Sequence, residues 1–136
     1  VGEVRGDEVV DMLQAMNTGM DGSLSTGHGN SPADMLVRLE TMVLMGMEMP
    51  LSAVRRQIAS GIDILIHLGR LRDKSRRVLE ISEIIGYEYK TGEVMTSVLY
   101  EFLEDGMQKE GHVQGSLHKK NELVHEQKLI RAGIRK

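Results

Sequence analysis

Apolar residues along the chain change their spacing twice. In "DEVVDMLQAMNTG" and just beyond it, Val9, Leu13, Met16 and Met20 recur at helical intervals, which predicts an amphipathic helix. Asp7 stands where an N-cap belongs and Gly19 where helices stop. "GSLSTGH" reads as a short buried strand running into a glycine-rich loop. A second helix follows in "NSPADMLVRLETMVLMG". Ser31 is placed to cap it, Pro32 fits the first helical position, and Asp34 sits where a capping-box acid belongs. Met35, Leu39, Met42 and Val43 form its apolar stripe. After Pro50 a third, shorter helix is predicted over Leu51 to Ser60.

The period then drops to two. In "IDILIHL", Ile62, Ile64, Ile66 and Leu68 share one face, with Asp63, Leu65 and His67 on the other. The polar "LRDKSRR" makes a turn and "VLEISEIIG" returns, so residues 62–86 read as a β-hairpin. "EVMTSVLYEFLEDG" predicts another strand, "QKEGHVQGS" a turn-rich stretch, and "HKKNELVHEQKLIRAG" a last helix. Strand, helix, strand, two helices and then antiparallel strands is the order of the back half of an α/β domain carrying an antiparallel appendage. Strands average about five to six residues, and "VGEVRGDE" holds only the end of one. The chain is therefore expected to be a piece of something longer.

Composition narrows the class without naming a function. The 136 residues suffice for one core, and 40% apolar, 27% charged residues with a net charge of -3 carry no bulk basic signal for nucleic acid. Cysteine is absent, which removes disulfides and thiolate metal sites and fits a reducing cytoplasm. The longest apolar runs are broken by Glu48 and Asp63, short of the roughly 18 to 20 residues of a membrane span. No signal peptide is visible.

Candidate chemistry sits at two strand ends, where open α/β sheets place their ligands. The first carries Glu3 and Arg5; the second carries Ser25, Thr26 and His28, the last between two glycines that free its backbone and clear space around the imidazole. A carboxylate there can orient water or hold Mg²⁺ through water, and an imidazole can meet a terminal phosphate. Taken singly, each is more often a structural hydrogen-bonder.

Together these residues carry a resemblance. "VGEVRGDEVVDMLQAMNTGMDGSLSTGHGNSPADMLVRLETMV" resembles the carboxyl half of the secretion ATPase family, the traffic ATPases of type II and type IV secretion, pilus assembly and conjugation, and within it the Flp/Tad pilus-assembly subgroup. Gly2-Glu3-Val4-Arg5 matches the family's G-E-h-R Walker B segment (h apolar), and Gly22 to Asn30 its His box, with Gly29 where alanine is usual. The likeness continues through "VRRQIASGIDILIHLGRLRD", covering about residues 1–86, and thins beyond.

The resemblance implies a partial RecA-like P-loop NTPase core, with residues 1–61 its last part and 62–136 a β-hairpin, further strand and C-terminal helix. It implies ATP and Mg²⁺ as ligands of an intact parent. Glu3 would act on the catalytic water or hold Mg²⁺ through water, His28 would lie near the γ-phosphate, and Arg5 would stabilise charge. Ser25 and Thr26 would shape the nucleotide-binding loop. The parent would be a homo-oligomer, a hexamer in this family, cytoplasmic and peripheral to the inner membrane, working with inner-membrane secretion or pilus proteins and with no specific nucleic acid. No G-x-x-x-x-G-K-[ST] occurs, so the phosphate-cradling loop and its lysine are missing, as is the family's Asp box. This chain then holds half of an ATP site and is expected to be inactive alone. A non-catalytic assembly module of a secretion or conjugation complex is the alternative reading.

The family's RecA-like order also places the P-loop strand between the His-box strand and the one starting near Ile62, so a gap is expected there. Other features read as structural. His67 alternates within the hairpin, and His112, His118 and His125 lack the spacing of a metal site. Met12, Met16 and Met20 form a core stripe, and Arg55 with Arg56 a solvated pair. From Lys109 onward seven Lys/Arg face three Glu, a basic tail that reads first as a solvated helix and second as an approach to anionic lipid or DNA.

Overall fold

In the computed structural model, which describes residues 2–19, 22–106 and 111–135, the helical part of the chain is built on a strand pair of two residues each. β1 (Glu3–Val4) and β2 (Thr26–Gly27) run parallel, with Glu3 opposite Thr26 and Val4 opposite Gly27. β2 is shorter than "GSLSTGH" suggests and is exposed rather than buried, because only β1 flanks it.

α1 (Val9–Asn17) buries Val9, Met12 and Leu13. Its predicted cap is corrected: Glu8, not Asp7, precedes the helix, and the Glu8 carboxylate accepts from the backbone N–H groups of Arg5 (2.6 Å) and Gly6 (3.2 Å). Val1 and Met20 lie outside the described residues. α2 (Pro32–Gly46) starts as its sequence dictates. The Ser31 hydroxyl accepts from Asp34 N at 3.0 Å, and the Asp34 carboxylate accepts from Asn30 N at 2.9 Å. Leu39 and Val43 face inward at spacing four, as do Val54 and Ile58 of α3 (Leu51–Gly61). These four, with Val4, Val9, Met12 and Leu13, make one apolar core among β1 and the three helices. Full burial of each aliphatic side chain is worth about 1.5–3 kcal/mol. Met16, Met35 and Met42 pack around it, so Met12 and Met16 of the predicted stripe belong to the core.

The second half is an antiparallel sheet in the order β3 (Ile64–Arg70), β4 (Arg76–Glu88), β5 (Glu93–Glu104), β6 (Gly115–Lys119). The alternation in "IDILIHL" holds, but Ile64, Ile66 and Leu68 are on the exposed side, Leu68 at 65%. Arg55 ties helices to sheet: its Nε donates to Glu40 at 2.7 Å and its Nη1 to the Gly92 carbonyl at 2.7 Å, in the β4–β5 turn. It is thus a structural linker, while Arg56 lies exposed and donates to its own helix at Ser52 O.

The C-terminal region departs most from expectation. The turn-rich stretch leads into β6, which pairs with β5 from Tyr100–Lys119 to Glu104–Gly115, and the helix shrinks to α4 (Gln127–Arg131). His118 and Lys119 are strand residues, since a ready partner edge on β5 outweighs their helical spacing. The basic residues there are largely neutralised: Lys119 pairs with Glu122, Lys120 with Glu101, Lys128 with Asp63 and Arg135 with Glu126. Lys109 and Lys136 lie outside the described residues. Among the described residues, no helix is long and apolar enough to cross a membrane.

Candidate functional site

Parallel pairing of β1 with β2 brings the two strand ends side by side. Thr26 fixes the register: its N–H (3.2 Å) and its hydroxyl (2.6 Å) both donate to the Gly2 carbonyl. Its hydroxyl therefore serves strand alignment, and half-buried Ser25 lies along the same segment. Glu3 sits opposite Thr26, so the loop leaving β2 carries His28 back over the Glu3 carboxylate.

The outcome is a cluster of a carboxylate, a guanidinium and an imidazole. Arg5 Nη2 donates to Glu3 Oε2 at 2.8 Å. His28 Nε2 lies 2.7 Å from Glu3 Oε1, an ion pair when the imidazole is protonated. That approach lacks hydrogen-bond geometry, and Oε1, itself buried, is left without a donor. The Glu3 carboxyl is held below its ordinary range, first by the Arg5 hydrogen bond and then by the charges of Arg5 and His28, with partial burial opposing. The Arg5 guanidinium is correspondingly raised by Glu3. Glu3 is mostly covered, whereas Arg5 and His28 are exposed side chains free to change partners.

The glycines beside His28 act differently from the expectation of backbone freedom. Neither Gly27 nor Gly29 has positive φ. Both allow close approach instead: a Cβ on Gly27 would lie 2.5 Å from Met35 Cε and 3.2 Å from Val4 Cγ2, and one on Gly29 would lie 3.3 Å from Met35 Cβ. α2 thus packs directly on the loop. Arg38, from the same helix, donates to the His28 carbonyl at 3.3 Å and Asp34 holds Asn30 N, so the loop is pinned on one side. Sequence reasoning missed Arg38, because nothing local marks a surface arginine ten residues away as a loop tether.

A cavity of about 190 Å³ opens beside His28, between Gly27–Gly29 with Met35 and the β3 segment that carries His67. His67 is therefore a wall of this cavity, beyond its place in the hairpin. A groove of about 550 Å³ continues along residues 22–27 and residues 61–66. It lies between edges of β2 and β3 that have no strand partner among the described residues, and Leu24 stands 91% exposed there. A groove rather than a strand thus separates β2 from β3.

The donor set fits Mg²⁺ bound through water rather than a protein-only metal cage. Glu3 Oε1 is a buried anionic oxygen on which His28 is poorly aligned, and among the described residues no three ligating side chains converge. The site offers one carboxylate to a metal or water, and a guanidinium and an imidazole N–H to an anion.

The profile of the family described as "Type II/IV secretion system protein" matches residues 1–133. A putative conjugal transfer protein of Mycobacterium tuberculosis is 42% identical over 82 residues, 60% of this chain and 23% of that protein. The type IV secretion system protein PtlH of Bordetella pertussis is 38% identical over 87 residues, 58% of this chain and 25% of the relative. The chain thus spans about a quarter of the length of these relatives. Among solved structures, the VirB11 ATPase of the Brucella suis type IV secretion system, in complex with sulphate, superposes with a TM-score of 0.55 at 28% identity, over 59% of this chain and 25% of that one. The strand pair, helices and antiparallel sheet are accordingly a partial P-loop-ATPase-like α/β fold, and the chain belongs to the type II/IV secretion system protein family.

Proposed function

We propose that this chain is the Walker B and His-box portion of an ATPase that drives secretion, conjugation or pilus assembly. The observation that carries the reading is the meeting of Glu3, Arg5 and His28 at the carboxyl ends of two parallel strands, with one Glu3 oxygen unsatisfied. Bound Mg²⁺ would supply charge neutralisation at the phosphates. Glu3, held ionised, orients a water through Oε1 and is the residue that would hold Mg²⁺ through water. Arg5 and His28 turn from Glu3 toward phosphate oxygens, where their N–H groups stabilise negative charge. Tight phosphate binding requires a P-loop and its lysine, which this sequence lacks.

Activity is thus assigned to an intact parent, a hexamer on the cytoplasmic side of the inner membrane with secretion or pilus proteins as partners. The Flp/Tad assignment rests on the resemblance over about residues 1–86, with residues 2–5 and 22–30 as its motifs. The deciding experiment is nucleotide binding and hydrolysis by the parent carrying Glu3→Gln. Retained binding with lost turnover supports the reading, and retained turnover overturns it.

A further inference from the structure

Glu83 is 2% exposed and takes no part in the candidate site. Its two carboxylate oxygens accept from consecutive backbone N–H groups far along the chain, Val124 (2.8 Å) and His125 (2.9 Å). His125 Nε2 lies 2.5 Å from the Ile85 carbonyl, and a carbonyl only accepts, so that nitrogen carries the proton. Beyond it, Lys128 Nζ reaches Asp63 Oδ2 at 2.6 Å, and both residues line the groove between β2 and β3. At the other end Lys120 N donates to Leu99 O and Asn121 Nδ2 to Val98 O.

From these bonds we propose that residues 120–135 form a releasable strap over one face of the sheet. Glu83 is its latch, and the Asp63–Lys128 pair closes it across the groove rim. The face is defined by pairing. Glu83 stands opposite Ile64 and Ile81 opposite Ile66, so the strap lies on the side that carries the exposed isoleucines. Ser82, Glu83 and Ile84 are all buried, which requires cover on both faces at that point. α3 packs against β4 as well, and the strap supplies the second cover.

The manner of attachment makes the strap releasable. α4 buries no residue, and Val124, Ile130 and Ile134 are exposed at 57%, 44% and 75%. Of its apolar residues Leu123 and Leu129 are half-buried and none is fully buried, so polar bonds carry most of the attachment. When it leaves, water reaches both the freed N–H groups and Glu83, so no buried charge is stranded. The Lys128–Asp63 pair, more than half exposed on both sides, adds little and opens first. The groove then loses its lysine rim, which widens its mouth toward Ile64 and Ile66.

Native-state hydrogen exchange on the 136-residue chain tests this independently of any ATPase role. Glu83→Gln keeps the shape but leaves one N–H facing an amide. Protection of the Val124 and His125 amides should fall about ten- to a hundredfold, with amides of residues 80–84 and 98–102 unchanged. Asp63→Asn should quicken only residues 128–132, by about a few-fold. In the unmodified chain, strap amides should exchange with a shallower urea dependence than the sheet, because opening uncovers little surface. A urea slope equal to the sheet's, joint loss of strap and sheet protection in either variant, or full strap protection in Glu83→Gln would each overturn the proposal.

Discussion

Glu3 Oε1 and His28 Nε2 stand 2.7 Å apart although they belong to different strand ends, and the oxygen has no hydrogen-bond donor. That juxtaposition makes the two residues functionally separable. In the intact parent, Glu3→Gln removes the negative charge while keeping the shape, so nucleotide binding should persist and turnover should vanish. His28→Ala should lower kcat by about 10²-fold, the scale of a lost polar catalytic group. Unchanged kcat in the His28 variant, measured at saturating ATP, would return that residue to a structural role.

Asp73 makes a different kind of cluster, in the β3–β4 turn. Its carboxylate accepts from Ser75 Oγ (2.5 Å), Ser75 N (2.9 Å) and, across the sheet, Val113 N (2.7 Å). These bonds, the Ser75 hydroxyl first, lower its pKa from 3.8 to about 2. The folded value lies below the unfolded one, so the stabilisation is complete above the unfolded value and is lost as pH falls toward the folded one. Asp73→Asn should destabilise the chain near neutral pH, and the difference from the parent sequence should shrink as pH approaches about 2. Denaturant unfolding at several pH values measures it; a gap that does not change with pH would contradict the assignment.

Gly115 marks a tight approach in the β5–β6 pair. A Cβ there would collide with the Leu103 carbonyl, and would sit 2.6 Å from Phe102 Cζ. Since the first obstacle is backbone, β6 must shift. Gly115→Ala should destabilise by about 1–3 kcal/mol, the range for overpacking, with exchange quickening first along Gly115–Lys119. Equal stability in thermal unfolding would show that the strand moves without cost.

These examples show what is readable from sequence and what is not. The start of α2 is legible because Ser31, Pro32 and Asp34 act within one turn of each other. The core stripes are legible because burial on a helix follows a fixed period. β6 is not, since Gly115–Lys119 lacks alternation and becomes a strand only by pairing with β5. Glu83 is equally hidden. In "EISEII" alternation puts it on the face of Ile81 and Ile85 with no local partner for its carboxylate, and its burial depends on amides 41 and 42 residues away. At the site, the residues Glu3, Arg5 and His28 follow from motif resemblance, while their contact follows from the register that Thr26 sets.

Nucleotide binding by this chain alone should be weak. Arg5 and His28 offer an exposed guanidinium and an exposed imidazole, without the backbone cradle and lysine that supply most phosphate contacts. The purified chain should show no steady-state ATP hydrolysis above a Glu3→Gln control prepared in parallel. Turnover that the Glu3→Gln change abolishes would overturn this expectation.

The groove between β2 and β3 leads to the last expectation. Among the described residues β2 pairs only with β1, and β3 only with β4, so each turns an unpaired edge toward the groove. Leu24 at 91% and Ile66 at 56% exposure add apolar surface beside those edges. Edges of this kind recruit another chain, and each backbone group buried there without a partner costs about 1–3 kcal/mol. A strand from a polypeptide carrying the P-loop half would satisfy both edges and bring a phosphate cradle next to His28. By itself, the chain should exchange its amides rapidly along Gly22–Gly27 and associate as concentration rises. Co-expressed with that half, it should form a one-to-one complex in which the same amides are protected. Sedimentation and hydrogen exchange read both outcomes. A stable monomer with slow exchange along Gly22–Thr26 would overturn the idea, because it would mean that β2 already has all the partners it needs.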